Sequence, residues 1–165
     1  MQNASPSRLA TIADPAPPIV LSLRANTPEK AEEERRALAA VATFAKGKHP
    51  GPLPRTYWMG DGYLELYVFN RRVHLAAVFV LPDSRHKGHG SAYLRKLLAA
   101  ADAHGSMVEC TVQAFGDNHD KSRLNNRQLT AWYKRHGFEL VQGRKNFLVR
   151  APKNTSAAPV ENTYA

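Results

Sequence analysis

The sequence of 165 residues predicts a single α/β domain built on a mixed, mostly antiparallel sheet. Three strand candidates follow one another through compact turns, a pattern typical of an antiparallel meander. A later succession of strand, helix and strand predicts a right-handed crossover and therefore one parallel strand pair. The middle strand of the meander, 63–69, is largely apolar on both faces. We therefore expect the sheet to be covered on both sides, with helices on both faces.

The composition is that of an ordinary globular chain, with 43% hydrophobic and 22% charged residues. No apolar run approaches the roughly 20 residues that a membrane-spanning helix needs. The first 16 residues lack the basic-then-apolar pattern of an export signal. The lone cysteine, Cys110, lies in an apolar strand candidate and is expected to be a packed thiol. These features predict a cytoplasmic protein with no membrane partner.

The formal net charge of +9 raises the question of a nucleic-acid partner. Lysine and arginine outnumber the acids in every part of the chain, and no consecutive basic arm or tail occurs. A spread of this kind fits a small polyanionic ligand, or simple solubility, as well as it fits DNA. Nucleic acid is therefore not the expected partner. If the chain did bind nucleic acid, its affinity would fall steeply as the salt concentration rises.

The two ends of the chain are expected to lie outside the folded domain. Residues 1–18, rich in Ala, Pro and Ser, are expected to form a flexible arm before a domain at 19–150, and 151–165 a flexible tail. Residues 19–23 form a short strand candidate. Thr27 followed by Pro28 and Glu29 is typical of a helix start, and Gly47 is expected to end that helix.

The meander is predicted at 55–59, 63–69 and 73–81. After it, Leu94, Leu97, Leu98 and Ala101 repeat with the spacing of one helix face, and Gly105 stands where a helix ends. The next strand is predicted at 107–113. A long polar stretch, 114–124, follows it.

A third helix is predicted to begin at Asn125 or Asn126, with Gln128 completing a capping box. An apolar and aromatic face follows at Leu129, Trp132, Tyr133 and His136, and Gly137 is expected to end the helix. Short strands at 138–141 and 146–150 are expected to close the domain.

The segment 85–90, Arg-His-Lys-Gly-His-Gly, lies between a strand and a helix. The first amides of a helix have no intrahelical partner and carry partial positive charge, so such a loop can bind phosphate. A dinucleotide fingerprint requires a third glycine where Tyr93 stands, and a P-loop requires Gly-Lys-Ser/Thr, which does not occur here. An ordinary strand-to-helix turn with solvated charges is the alternative interpretation.

Two motifs occur in succession along the chain. The first follows a strand and reads Val80-x-Pro82-x-x-Arg85-x-x-Gly88-x-Gly90. The second follows the next strand and reads Asn126-x-x-Leu129-x-x-Trp132-Tyr133-x-x-x-Gly137-Phe138. Together with the order of the elements, they resemble the GCN5-related N-acetyltransferase (GNAT) family, and the resemblance covers 19–150. The chain is similar to small stand-alone members in bacteria and phages, which implies a host cytoplasm if it is phage-encoded.

The resemblance implies an acyl-CoA N-acyltransferase fold whose parallel strand pair is splayed around the cofactor, acetyl-CoA. It implies that the end of the fourth strand pairs with the pantetheine arm and that the loop amides hold the pyrophosphate. The cofactor-binding residues that it implies are Phe79, Val80, Leu81, Arg85, His86, Lys87, Gly88, His89, Gly90, Ser91 and Asn126.

The same resemblance implies that Tyr133 is the catalytic general acid on the leaving thiolate, with the amine attacking directly in a ternary complex. A core position for Tyr133 is the alternative. Acyl transfer needs an amide that stabilises the oxyanion and a group that protonates the thiolate. The general base stays open among five residues. They are Glu65, Glu109, Asp117, His119 and Asp120.

Several alternatives remain open at this stage. His86 and His89 lack the Cys or carboxylate neighbours of a metal site, so no metal is expected. His74 and His136 are interpreted as structural. The acceptor is a small molecule or a protein amine, and the chain is a monomer or a homodimer. A GNAT-like protein without turnover, serving as a coenzyme-binding or structural component of an assembly, is the second hypothesis.

Overall fold

The computed structural model describes the backbone of residues 20–21 and the residues 27–51, 53–115 and 123–153. Most of the predicted arm and tail, and the segment 116–122, lie outside the described residues. The elements, in chain order, are β1 (Val20–Leu21), α1 (Pro28–Ala45), β2 (Thr56–Trp58), β3 (Gly62–Phe69), β4 (Arg72–Val80), α2 (His89–Ala103), β5 (Val108–Thr111), α3 (Asn126–Arg135), β6 (Glu139–Leu140) and β7 (Phe147–Arg150). None of these helices is long and apolar enough to cross a bilayer.

The strands form one sheet in the order β1-β3-β4-β5-β7-β6, and β2 also pairs with β3. The meander of β2, β3 and β4 is antiparallel, as are the pairs β5–β7 and β6–β7. The crossover through α2 makes β4 and β5 parallel. The predicted mixed, mostly antiparallel sheet is therefore confirmed. A second, two-residue parallel contact joins β1 to β3.

The parallel pair separates soon after it begins. Val73 pairs with Val108 and His74 with Glu109, and in the described part of the chain no later residue of β4 has a partner in β5. On the other side of β4, Glu65 pairs with Ala77 and Leu66 with Leu75, so Ala76 is an extra residue. A bulge of this kind bends the strand and increases its twist. β4 and β5 therefore diverge, as the family resemblance implied for the parallel strand pair.

The core lies on one face of the sheet. α1 contributes Ala37, Ala40, Val41 and Phe44, and α2 contributes its predicted apolar stripe. Both helices pack on the face of β3 that carries Leu64, Leu66 and Val68, all fully buried. α3 joins the same core through Tyr133, which clusters with Cys110 of β5. The contacts of the described helices thus lie on one face.

This placement differs from the expectation of helices on both faces. On the opposite face of β3, Tyr63, Glu65 and Tyr67 are half-buried rather than covered. The ring of Tyr63 stacks on Trp58 and Phe79, with centroids 6.3 Å and 5.0 Å away. The apolar alternation on this face therefore reflects stacking between neighbouring strands, because cross-strand aromatic pairs stabilise a sheet without a helix above them.

The helix starts follow the predicted caps. Thr27 Oγ1 accepts a hydrogen bond from the amide of Lys30 at 3.4 Å, with Pro28 as the first helical residue. At α3, Asn125 Oδ1 accepts from the amide of Gln128 at 2.9 Å, and Gln128 Oε1 accepts from the amide of Asn125 at 3.0 Å. The reciprocal capping box is confirmed, and it fixes where α3 begins.

Candidate active site

A cleft of about 550 Å³ lies where β4 and β5 separate. It runs through the sheet, because its walls include residues from both faces. One wall is formed by the end of β4, the loop that follows it and the first turn of α2. The opposite wall is formed by the end of β5, the segment 113–115 and the aromatic face of α3. The two sequence motifs, about 40 residues apart, therefore line a single cleft.

Gly88 is the residue before the first turn of α2, with φ at +84°. This left-handed conformation favours glycine. A Cβ at this position would meet no atom within 4 Å, so the space beside it is open. Among the described residues, no side chain caps this end of α2. The first amides of α2 therefore remain available to an anion.

Asp61, in the turn between β2 and β3, holds the loop between β4 and α2 in place. Its Oδ2 lies 3.1 Å from Nδ1 of His89, and its Oδ1 accepts a hydrogen bond from the Tyr93 hydroxyl. Its backbone carbonyl accepts from the amide of Leu81 at 2.8 Å. One residue thus fixes both the end of β4 and the start of α2. Sequence reasoning missed this role, and the compact Gly-Asp-Gly turn was the only local signal.

Eight of the expected cofactor-binding residues lie together in the cleft wall. They are Phe79, Val80, Arg85, His86, Gly88, His89, Gly90 and Ser91. Three others lie outside that wall. Leu81 is 39% exposed, Lys87 is exposed, and the Oδ1 of Asn126 accepts a hydrogen bond from the amide of Ala114 at 2.6 Å. Asn126 therefore fixes the segment that follows β5. Since Ala114 lines the cleft, this hydrogen bond also helps to shape the cleft wall.

Ser91 connects the two walls. Its Oγ accepts a hydrogen bond from Trp132 Nε1 at 2.9 Å and lies 3.2 Å from His136 Nε2. Burial, together with the charges of neighbouring arginines, lowers the pKa of His136, so its ring is neutral and Nε2 can accept from the serine hydroxyl. The serine predicted to contact the cofactor thus joins α2 to α3, and His136 keeps its predicted structural role.

Tyr133 lines the cleft from α3 and is 7% exposed. Its ring packs against Trp132 and Phe138, with centroids 4.7 Å and 5.3 Å away. Burial and the nearby Cys110 raise the pKa of Tyr133 well above its ordinary value, so its hydroxyl stays protonated. Burial and the charge of Glu109 raise the pKa of Cys110 to about 12, which agrees with the predicted packed thiol.

The cleft is lined by many more basic than acidic groups. The basic side chains in its wall are Arg85, His86, His89, Arg123 and Arg135. Glu65 is the one carboxylate in the described wall. The Arg85 Nε donates to the carbonyl of Val80 at 3.1 Å, so this guanidinium is held next to the end of β4. Such a lining attracts a polyanion, while the separated strand edge can pair with an extended chain.

The five residues considered as general bases fall into three groups by location. Glu65 lines the cleft and pairs with Arg55, with Nη2 and Oε1 3.5 Å apart. Glu109 is 3% exposed and lines a separate pocket of about 200 Å³. It lies 3.2 Å from Nδ1 of His74 and 3.7 Å from Nη1 of Arg72. Asp117, His119 and Asp120 lie outside the described residues.

The comparison with known families matches the model of the acetyltransferase (GNAT) domain to residues 55–140, just over half of the chain. This range contains both motifs and the whole wall of the cleft. No curated protein sequence matches the chain.

Three of the solved structures that are similar to the chain share 16% identity with it. The anti-CRISPR protein AcrVA5 covers 57% of this chain and 94% of its own, with a TM-score of 0.47. Ard1 from Thermoplasma volcanium covers 60% and 71%, with a TM-score of 0.42. The PaiA N-acetyltransferase from Thermoplasma acidophilum, solved with coenzyme A, covers 59% and 57%, with a TM-score of 0.42.

Proposed function

Because the chain belongs to the GNAT acetyltransferase family, we propose that it transfers an acetyl group from acetyl-CoA to a primary amine by direct attack in a ternary complex. One observation carries the proposal. A single cleft joins the open helix start at Gly88 to the protonated hydroxyl of Tyr133, at the point where β4 and β5 separate. We also propose a cytoplasmic location and a domain at 19–150 between two flexible ends.

The residues of the cleft fit the coenzyme. The amides at the start of α2, with Arg85 beside them, bind the pyrophosphate, which carries two negative charges next to the positive end of the helix. The edge of β4 beyond His74 pairs with the pantetheine arm, since this edge has no β5 partner among the described residues. An amide of the same edge faces the thioester oxygen and stabilises the oxyanion.

Tyr133 protonates the departing sulfur. Its raised pKa keeps the proton on the hydroxyl until negative charge develops next to it. The half-buried Trp132 and the bonds to Ser91 fix the start of α2 relative to α3, so the hydroxyl is held at a constant distance from the phosphate-binding loop. Position and protonation state together support the role of general acid.

Calorimetric titration with acetyl-CoA tests the proposal. We compare the wild-type protein with Gly88→Trp, which fills the open space beside the helix start. Gly47→Trp is the matched control, because Gly47 also has positive φ, at +71°, and its Cβ would also meet nothing within 4 Å. Gly47 follows α1 and is not part of the cleft wall.

We expect saturable one-to-one binding by the wild type and by Gly47→Trp, and loss of binding by Gly88→Trp. Release of free thiol from acetyl-CoA in the presence of primary amines then measures turnover. Failure of a folded wild-type protein to bind acetyl-CoA would overturn the proposal. Binding with no turnover for any amine would favour a coenzyme-binding component without catalysis.

A further inference from the structure

Ser91 takes part in two hydrogen bonds and also lines the cleft. A serine hydroxyl has one proton to donate and two lone pairs that accept. The indole N–H of Trp132 can only donate, and it occupies one lone pair from 2.9 Å away. The Nε2 atom of a neutral His136 can accept, and it lies 3.2 Å from the same oxygen. With that ring neutral, the serine proton points at the imidazole, which lies outside the described wall of the cleft.

Protonation of His136 reverses the second of these bonds. A charged imidazole carries a proton on each nitrogen and can only donate. Ser91 Oγ then accepts from Trp132 and from His136, which occupies both of its lone pairs. The serine proton is released from the imidazole, and the cleft that Ser91 lines is the space open to it. Ser91 is the third residue of α2, so its hydroxyl belongs to the same turn as the amides that are open to an anion.

The charged groups that face His136 come from three elements. They are Arg95 on α2, Arg135 on α3 and Arg150 on β7. Burial, and after it these three charges, lower the pKa of His136 below its ordinary value of 6.5, so the ring is neutral at neutral pH without a bound anion. Asp102 pairs with Arg150 over 2.8 Å and offsets part of that charge. A pyrophosphate at the start of α2 brings two negative charges towards this group, which favours the protonated ring.

We propose that His136 takes up a proton when the coenzyme binds, and that Ser91 then turns its hydroxyl from the imidazole to the pyrophosphate. The proposal rests on the proposed function and adds to the coenzyme site a positioning residue outside the cleft wall. His136 acts through Ser91 and does not touch the coenzyme. Its contact with α2 is kept in both states, because the bond between Nε2 and Oγ changes direction without breaking. The proton comes from solvent and returns to it when the coenzyme leaves.

This linkage has a defined sign. Binding of the coenzyme raises the pKa of His136, so the affinity is lowest above the pKa of the occupied form and increases as the pH falls. The affinity levels off below the pKa of the free form, where the ring is charged in both states. The gain is about tenfold for each pH unit that separates the two pKa values.

Calorimetric titration of the full chain with acetyl-CoA measures this proton. Buffers with different ionisation enthalpies give heats that differ in proportion to the number of protons taken up. The wild type should take up a larger fraction of a proton than His136→Gln at about pH 6, and the difference should be absent at about pH 8. The histidines of the cleft wall and the phosphates of the coenzyme titrate in both proteins alike, so the difference belongs to His136.

His104→Gln is the matched control. Like His136, His104 directly follows the last residue of its helix, and its Nε2 faces a hydroxyl, that of Thr43, over 2.7 Å. Neither His104 nor Thr43 belongs to the described wall of the cleft. We therefore expect His104→Gln to take up as many protons as the wild type.

Ser91→Ala tests whether the hydroxyl transmits the linkage. This variant keeps His136 and its charged neighbours but has no hydroxyl to turn. Its affinity for acetyl-CoA should fall about tenfold at about pH 6, where the wild-type hydroxyl faces the pyrophosphate, and less at about pH 8. An equal loss at the two pH values would overturn the role of Ser91.

The fluorescence of Trp132 provides a readout that needs no variant of His136. The two rings meet edge to face, with centroids 5.2 Å apart, and a protonated imidazole in contact with an indole quenches its emission. The chain has two tryptophans, so Trp58→Phe leaves Trp132 as the only one. The midpoint of quenching should lie at a higher pH with acetyl-CoA than without it.

Equal midpoints with and without acetyl-CoA, or equal proton uptake by the wild type and His136→Gln, would overturn the inference and leave the proposed function standing. Absence of acetyl-CoA binding by the folded wild type would overturn the proposed function, and this inference with it.

Discussion

Trp132 Nε1 donates a hydrogen bond to Ser91 Oγ over 2.9 Å and joins the aromatic face of α3 to the first turn of α2. The two residues are 41 positions apart in the chain; Ser91 directly follows the first sequence motif, and Trp132 belongs to the second. The same oxygen also faces His136. One serine therefore joins the helix start proposed to bind phosphate to the helix that carries the proposed general acid.

The substitution Ser91→Ala should destabilise the protein. It leaves the indole N–H and the imidazole of His136 without their partner, and each unsatisfied half-buried group costs about 1–3 kcal/mol. Chemical denaturation measures the loss in the free energy of unfolding. Thr130→Ala is the control, because its hydroxyl donates to the carbonyl of Asn126 within α3 rather than to another helix, and we expect a change of about 0.5 kcal/mol or less. Equal stabilities for the two variants would contradict the role of Ser91.

Tyr133→Phe should lower kcat about 10²-fold, with little change in the affinity for acetyl-CoA, since only the proton donor is removed. Tyr57→Phe, in the buried core next to Phe44, should retain full activity. Because burial raises the pKa of Tyr133 above its ordinary value of 10.0, its proton should remain in place up to that pH. A loss of wild-type activity below pH 10 that Tyr133→Phe abolishes would contradict this prediction.

Asp102→Asn should destabilise the protein and make its free energy of unfolding depend less on pH in acid. Arg150 is 3% exposed, and its two terminal nitrogens donate to Asp102 over 2.8 Å. Burial alone would raise the pKa of Asp102, but the bonds from Arg150 and from the amide of Lys153 outweigh it, so the pKa is lowered from 3.8. The pair therefore adds stability above pH 3.8, which is lost as the pH falls below that value.

At neutral pH the unpaired, buried arginine should cost about 3–5 kcal/mol in Asp102→Asn. Denaturation curves at neutral and acid pH measure both effects. Glu33→Gln is the control, because the pair of Glu33 and Arg71 is solvent-exposed on one side and is worth about 1 kcal/mol at most. An unchanged slope of stability against pH in Asp102→Asn would argue against the predicted linkage.

Gly62→Ala should weaken acetyl-CoA binding as well as stability. A Cβ on Gly62 would lie 2.1 Å from the carbonyl oxygen of Phe79, so β3 and β4 must move apart at the wall of the cleft. Gly47→Ala places a methyl group in open space at φ of +71° and should cost stability without affecting the ligand. Calorimetry on both variants measures the difference, and equal affinities would refute the proposed displacement.

The sequence allowed a good prediction of the features that depend on local chemistry. The Asn125–Gln128 capping box, the Thr27 cap and the glycine before α2 each express the preference of a residue type for one backbone conformation. The family resemblance of the two motifs predicted that Tyr133 and the segment 85–91 lie close together, as they do in the cleft. No local pattern could have predicted this.

Features that depend on register could not be predicted. The extra residue at Ala76 breaks the two-residue alternation, and nothing in a run of apolar residues marks where a bulge falls. The contact between His74 and Glu109, which are 35 positions apart, depends in the same way on the register of β4 against β5. The aromatic alternation of β3 suggested burial on two sides, because stacked rings and covered rings produce the same pattern.

If the proposed function holds, the early separation of β4 from β5 should make the abundance of the folded protein depend on the supply of acetyl-CoA. Among the described residues, two pairs join β4 to β5 directly, so a molecule bound in the cleft would add contacts that these two strands do not make with each other. A ligand present at 100 times its dissociation constant adds about 2.7 kcal/mol to the free energy of unfolding. A cell depleted of the proposed ligand would therefore hold a larger unfolded fraction of the protein, which proteolysis would remove.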